Sequence, residues 1–319
     1  ILPFFHSFGY STTLWAALQL KPKVVYHFTP LEPKQVGKLC REHGATILVA
    51  TPTFLRSYIR RCQPEDFAKL DVVITGAEKL PPEVADAFEA RFGVRPWEGY
   101  GATETSPVIS SNIPPSRVRD KWFVDCRQGS VGRPMPYVIA KVTDLDTGEE
   151  LPYGEPGMLW VKGPNVMLGY LNEPERTAEV VVDGWYKTGD VAFLDRDNYI
   201  HITGRLSRFS KIGGEMVPHL RIEEAIGEVV ETDEQDELTY AVTGIPDEKK
   251  GERIVVLYTT LPCSPEEVCR KMAETDLPAL WIPSPKNFFR VEKIPVLGSG
   301  KLDLRALQQL ALQVAESSG

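Results

Sequence analysis

Cysteine is scarce in this chain and forms no pattern: Cys40, Cys62, Cys126, Cys263 and Cys269 are an odd number, widely spaced, with no CxxC pair among them. That argues against a zinc motif, a dithiol redox motif and a disulfide framework, and reads as reduced, cytosolic thiols. Long apolar runs are missing as well. The nearest candidate, around Leu14 to Leu20, ends in Lys21 and Lys23 and falls short of the 18 or so apolar residues that a membrane-spanning helix needs. Positive charge is not in excess: 36 Lys and Arg stand against 44 Asp and Glu, a formal net charge of −8, so a general nucleic-acid surface is excluded and any bound anion needs a local site. Internal repeats, low-complexity segments, an initiator Met and a signal peptide are all lacking, and an opening at Ile1 inside an apolar run reads as a segment cut from a longer protein.

What is present is a composition, 42% hydrophobic and 25% charged, that folds into a soluble globular protein, and 319 residues are enough for two domains of about 100–200 residues each. Residues 24–110 alternate short apolar or β-branched runs with helical patterns, as an α/β parallel sheet does. The runs 24–28, 46–50 and 71–75 read as strands; Pro33–His43, Pro52–Arg61 and 81–92 read as helices. Ligands gather beyond the carboxyl ends of such strands, so the loops after Thr75 and Gly99 are the places to look. From Gly129 to Thr203 short strands separated by turn residues suggest a β-rich subdomain. After Gly204 the alternation returns, with helices at 220–230 and 265–275 and strands at 240–244 and 254–259. The expected architecture is therefore an α/β domain over 1–203, made of an α/β part (1–128) and a β-rich part (129–203), followed by a small α+β domain over 204–319.

Four segments carry chemistry. Tyr100-Gly101-Ala102-Thr103-Glu104-Thr105 offers an aromatic face for a purine, a glycine that lets a ligand approach the backbone, a hydroxyl for a phosphate and a hard oxygen for Mg2+. The alternative is an ordinary turn with a capping Thr and a solvated Glu. Tyr186-Lys187-Thr188-Gly189-Asp190 sets a carboxylate after a tight turn, suited to both hydroxyls of a ribose. Gly204-Arg205 adds a guanidinium, and Pro295-Val296-Leu297-Gly298-Ser299-Gly300-Lys301 presents a lysine on a glycine-rich loop. Singly, these also read as a turn Asp, a surface Arg and a solvated Lys.

Together, in this order, and with Leu2-Pro3-Phe4-Phe5-His6-Ser7-Phe8-Gly9 and Thr75-Gly76-Ala77-Glu78-Lys79-Leu80 before them, they resemble the adenylate-forming superfamily of acyl-CoA synthetases, luciferases and peptide-synthetase adenylation domains along essentially the whole chain. The resemblance implies ATP and AMP as ligands and Mg2+ as the metal. Gly76, Ala77, Glu78 and Tyr100 would line the adenine, with Gly101 beside them. Thr103 would touch the α-phosphate, Glu104 would hold Mg2+, Asp190 and Arg205 would bind the ribose, and Lys301 would bridge carboxylate and phosphate. It also implies a mobile C-terminal lid that turns about a hinge at Ser207, where the family has Asp or Lys, and a thiol tunnel along Lys211, Gly213 and Gly214. The loop that holds the β- and γ-phosphates in this family lies upstream of the first motif and is not in this sequence.

The run Phe4-Phe5-His6-Ser7 has no carboxylate to pair with an α-ammonium, whose burial unpaired would be costly, so an amino-acid substrate is disfavoured. His6 and Phe8 resemble the acyl-pocket entrance of fatty and aryl acid enzymes; a core strand edge with one hydrogen-bonded His is the alternative. The wording of 204–217 and 295–301 is most similar to the acyl-acyl carrier protein synthetase part of bacterial bifunctional 2-acylglycerophosphoethanolamine acyltransferases. That implies a fatty acid as substrate, acyl carrier protein as partner, and attachment to the cytoplasmic side of the inner membrane through a preceding acyltransferase domain. Arg205, Arg208 and Lys211 are then candidates for a basic patch facing the acidic carrier. Two other readings stand beside this one: a fatty acyl-CoA synthetase, and a fragment that binds nucleotide or acyl-adenylate without turnover.

Overall fold

Proline and glycine set the bounds of the first long helices, because proline suits a helix's first turn and glycine its left-handed exit. The computed structural model describes residues 1–121, 123–230, 239–247, 249–296 and 302–317, and the chain divides into two units, Ile1–Thr203 and Gly204–Gly319. The first unit opens with α1 (Ser7–Gly9), a π-helical stretch (Tyr10–Trp15) and α2 (Ala16–Leu20) in one run, capped where His6 Nδ1 accepts the Phe8 N–H at 3.2 Å. Then come α3 (Pro33–His43, leaving through Gly44 at φ +61°), β1 (Ile47–Ala50), α4 (Pro52–Arg61), β2 (Val72–Thr75), α5 (Pro82–Phe92, leaving through Gly93 at φ +71°) and β3 (Pro96–Gly101).

The strand expected at 24–28 does not form. A strand needs a neighbour for its backbone groups, and this segment is held instead by its own Tyr26 side chain, which reaches back to the residues before it. The Tyr26 hydroxyl donates to the Thr13 carbonyl at 2.7 Å, and its ring meets Phe4 edge-on at 5.6 Å.

Strands β1, β2 and β3 pair in parallel, and β4 (Val108–Ser111) and β5 (Arg133–Pro134) continue the sheet antiparallel, in the order β1-β2-β3-β4-β5. Behind it the Phe67, Phe88 and Phe92 rings interlock, with Phe67–Phe92 and Phe88–Phe92 centroids at 4.9 and 4.7 Å. Burying each such side chain stabilises by about 1.5–3 kcal/mol. A second, antiparallel sheet follows from β6 (Ile139–Thr143), β7 (Gly157–Lys162), α6 (Pro174–Val180), β8 (Val181–Val182), β9 (Trp185–Leu194) and β10 (Ile200–Arg205), ordered β10-β9-β7-β6 with β8 beside β9. Its core is Leu159, Val161, Tyr186, Ala192 and Ile200.

The second unit contains β11 (Phe209–Ile212), β12 (Glu215–Pro218), α7 (His219–Val229), β13 (Tyr240–Asp247), β14 (Gly251–Tyr258), α8 (Pro265–Met272), β15 (Phe288–Arg290) and α9 (Leu304–Ser317). Its sheet runs β12-β11-β14-β13, with β15 parallel to β14. Alternation along β13 and β14 sends Val242, Ile254 and Val256 towards α7 and α8, and Ala241, Val255 and Leu257 towards Leu307 and Ala311 of α9. No helix among the described residues is long and apolar enough to cross a membrane.

A buried polar pair sits in this second core. Ser210 Oγ and His219 Nε2 share a hydrogen bond of 2.8 Å, and Gly244 makes the room, since a Cβ there would lie 1.8 Å from Ser210 Oγ. Burial, and then the Arg208 cation, hold His219 down from 6.5 to about 3. A depressed imidazole lets the unfolded chain take up a proton that the folded one refuses. Stability is therefore full above pH 6.5 and falls as pH drops towards about 3, at a limiting slope of about 1.4 kcal/mol per pH unit. Hydrogen exchange of the β11 and α7 amides, corrected for intrinsic rates, should show this decline between pH 7 and 4. His219→Gln should flatten it, and an equal slope in that variant would exclude His219 as its source.

Candidate functional site

At the end of β3 the chain doubles back, and Gly101 is what allows it: a Cβ there would lie 1.9 Å from the Pro107 carbonyl oxygen. Ala102 N–H donates to that carbonyl at 2.9 Å. The buried Thr105 hydroxyl donates to the same carbonyl at 2.7 Å and receives the Ala102 N–H at 3.1 Å. This closes a short 3-10 turn, Thr103–Thr105, that leaves Thr103 exposed and Glu104 half-buried. The Thr103 and Ser7 hydroxyls are 3.2 Å apart, which brings the first motif to the turn. Phe8 arrives with it, its ring 3.2 Å from where a Cβ on Gly76 would stand.

Two strands meet at this point. Tyr100 on β3 donates its hydroxyl to the buried Asp190 on β9. Asp190 is fixed from behind, its N–H donating to Thr188 Oγ1 at 3.0 Å while that hydroxyl donates to the Leu159 carbonyl at 2.9 Å. Glu104 is held more fully than a solvated turn residue would be. Its carbonyl accepts the Met167 N–H at 2.7 Å, and its carboxylate receives the Tyr170 hydroxyl at 2.8 Å. Burial and then Glu104 push Tyr170 up to about 12, so this phenol keeps its proton and acts as the donor; burial and then the Glu104 charge raise Tyr186 too.

Beyond β2, Gly76 is buried, Ala77 takes φ +72°, and the exposed Glu78 receives the Thr53 hydroxyl at 2.7 Å. Glu98, its carboxyl raised by burial, accepts the Leu80 N–H at 2.9 Å and ties this segment to β3. The first unit thus gathers Ser7, Phe8, Gly76, Tyr100, Thr103, Glu104 and Asp190. Tyr170 and Glu98 join them without having been singled out from sequence, because no local motif marks them.

The remaining candidates belong to the second unit. Arg205 ends β10 exposed, and Ser207 lies exposed in the turn Leu206–Arg208. Lys211 is exposed on β11, its N–H donating to Glu252 at 2.5 Å. Gly213 and Gly214, at φ +58° and +93°, form the tip between β11 and β12. Lys301 lies outside the described residues. Arg208 corrects an expectation: it is not a surface cation ready for an acidic partner, because its guanidinium is turned inwards onto Glu223, with side-chain exposures of 15% and 17%. Burial raises Glu223 while Arg208 and the Val242 N–H, 2.8 Å away, hold it down.

Among the described residues no group of three or more His, Cys, Asp and Glu is placed to cage a metal. Glu104 alone fits Mg2+, which keeps several waters and takes one or two protein carboxylates together with phosphate oxygens. The Tyr170 phenol uses one of the roughly four acceptor positions of a carboxylate and leaves others open.

Residues 1–171 match the family model described as AMP-binding enzyme. The long-chain-fatty-acid–CoA ligase of Bacillus subtilis is 32% identical over 312 residues, covering 96% of this chain and 53% of that protein. The long-chain-fatty-acid–CoA ligase of Yersinia pestis is 30% identical over 278 residues, covering 85% and 47%. Among solved structures, ATP-bound MatB from Rhodopseudomonas palustris superimposes with a TM-score of 0.79 at 28% identity, covering 97% of this chain and 59% of that one. The chain spans about half the length of the curated relatives it matches.

Gly101→Ala should cost about 1–3 kcal/mol, the scale of overpacking a site that cannot yield. Thermal unfolding of the first unit checks this, and an unchanged midpoint would mean that the turn tolerates a Cβ.

Proposed function

The chain belongs to the AMP-binding enzyme family, and on that footing we propose that it serves the activation of a long-chain fatty acid as its acyl-AMP and the transfer of the acyl group to a phosphopantetheine thiol. The observation that carries this reading is the meeting of β3 and β9, where Tyr100, the buried Asp190, Thr103 and the braced Glu104 lie together. In the first step a carboxylate oxygen attacks the α-phosphorus of ATP, the bond to the β-phosphate bridge breaks, and pyrophosphate leaves. In the second the thiol sulfur attacks the acyl carbon, AMP leaves with the bond electrons, and the thiol proton passes to solvent.

Both reactants of the first step are anions, so the protein's work is positioning and neutralisation. Tyr100 presents its ring to the adenine, flanked by Gly76, Ala77 and Glu78, with Gly101 letting the nucleotide approach the backbone. Asp190 is assigned to the ribose hydroxyls, with Arg205 as its partner in that role, and Thr103 offers its hydroxyl to the α-phosphate. Mg2+ held at Glu104 would supply positive charge to the phosphate oxygens. Lys301 is assigned to the carboxylate and phosphate of the first step. His6 and Phe8 belong to the acyl side, Lys211, Gly213 and Gly214 to the thiol side, and residues 204–319 to a lid hinged at Ser207.

For the thiol, coenzyme A is favoured by the names of the two fatty-acid ligases. Acyl carrier protein is favoured by the wording of 204–217 and 295–301, and in that second reading a further domain brings the reaction to the membrane. The inward turn of Arg208 removes one of three cations from the proposed carrier patch, so we take coenzyme A as the acceptor. Comparing initial rates of thioester formation with coenzyme A and with holo-acyl carrier protein decides between them.

Asp190→Ala should weaken AMP binding by about 1.5–3 kcal/mol, the worth of a hydrogen bond to a charged group. Calorimetry with AMP on the folded variant measures it, and an unchanged affinity would remove Asp190 from the nucleotide site.

A further inference from the structure

We propose that Tyr170 is a positioning residue that holds the Glu104 carboxylate for a nucleotide-borne divalent cation, an inference that rests on the adenylating reading of this site. Tyr170 does not reach Glu104 by sequence proximity: it lies 66 residues away, on the loop before α6. It can only donate to a carboxylate, so it fixes one Glu104 oxygen from a separate element.

Tyr170 is itself held in place. Its N–H donates to Thr177 Oγ1 at 2.9 Å, and that hydroxyl donates to the Glu173 carbonyl at 2.8 Å. Gly169, at φ +154°, admits this approach, since a Cβ there would lie 2.8 Å from a Thr177 methyl carbon. The Arg176 guanidinium lies over the Tyr170 ring, 4.4 Å from its centre, and so favours the phenol as a donor. The same loop binds the backbone of Glu104 through the Met167 N–H at 2.7 Å.

An unbraced Glu104 would turn freely in water and lose that freedom on meeting the cation. A braced one has lost part of it already, with one oxygen directed by the Tyr170 donor and the rest left for the metal. Removing such a partner of a metal ligand costs about 10- to 100-fold in metal affinity.

The test is calorimetric titration of the full chain with a non-hydrolysable ATP analogue, once in Mg2+ and once in EDTA. The wild-type protein should bind more tightly in Mg2+. Tyr170→Phe should lose about tenfold or more of that gain while keeping the EDTA affinity. Glu104→Gln should abolish the gain, and adding Tyr170→Phe to it should change nothing further. Two outcomes overturn the inference: Tyr170→Phe keeps the full Mg2+ gain, or affinity falls equally in the two buffers, as a merely structural role would give. A wild-type protein that binds the analogue in neither buffer overturns the adenylating reading itself, and the inference with it.

Discussion

The hydroxyl of Tyr100 on the carboxylate of Asp190 is the bond around which the first unit's candidate site is organised. A buried carboxylate without partners is costly, and Asp190 is only 3% exposed. Its pairing therefore fixes where β3 of one sheet ends relative to β9 of the other. Once that crossing is set, much else follows from covalent geometry. The residue after Tyr100 has to be glycine to turn against Pro107, and the turn it opens presents Thr103 and Glu104. A polar cluster assembled this way is high in stakes, because each group stays inexpensive to bury only while its neighbours are present.

Much of the fold was legible because its signals are local. Pro33 and Gly44 bracket α3, Thr51 and Pro52 open α4, and Gly93 closes α5, each through a backbone preference that a single residue carries. The run 24–28 shows the limit of that logic. Val24-Val25-Tyr26-His27-Phe28 has strand composition, yet a strand is a relation between two segments, and here Tyr26 is engaged by Thr13 and Phe4 instead. Across β1 to β5 the parallel order is that of strand–helix alternation, while the antiparallel turn into β4 depends on the Gly101–Pro107 fold-back, which no periodicity announces.

The site divides in the same way. Tyr100, Thr103, Glu104 and Asp190 stand in short segments that the eye can pick out. What no segment shows is the traffic between them: the phenol of Tyr170 on Glu104, and Glu98 under the Leu80 N–H. Charge was the least legible property. Arg208 reads as a surface cation beside Lys211, but Glu223 of α7 draws it inwards, and the sequence distance between the two hides the pair. The consequence reaches function, since a buried guanidinium steers no acidic carrier, and a carrier patch would be left with Lys211 and Arg205 alone of the three cations proposed for it.

The central claim is that the crossing of β3 and β9 serves the joining of a carboxylate to the α-phosphorus of ATP. Isotope transfer tests it most directly. A long-chain fatty acid labelled with 18O in both carboxylate oxygens is incubated with ATP, Mg2+ and coenzyme A, and the nucleotide product is weighed by mass spectrometry. Acyl-AMP formation predicts AMP that carries one 18O on its phosphate. Unlabelled AMP, or ADP with the label in inorganic phosphate, would contradict the account.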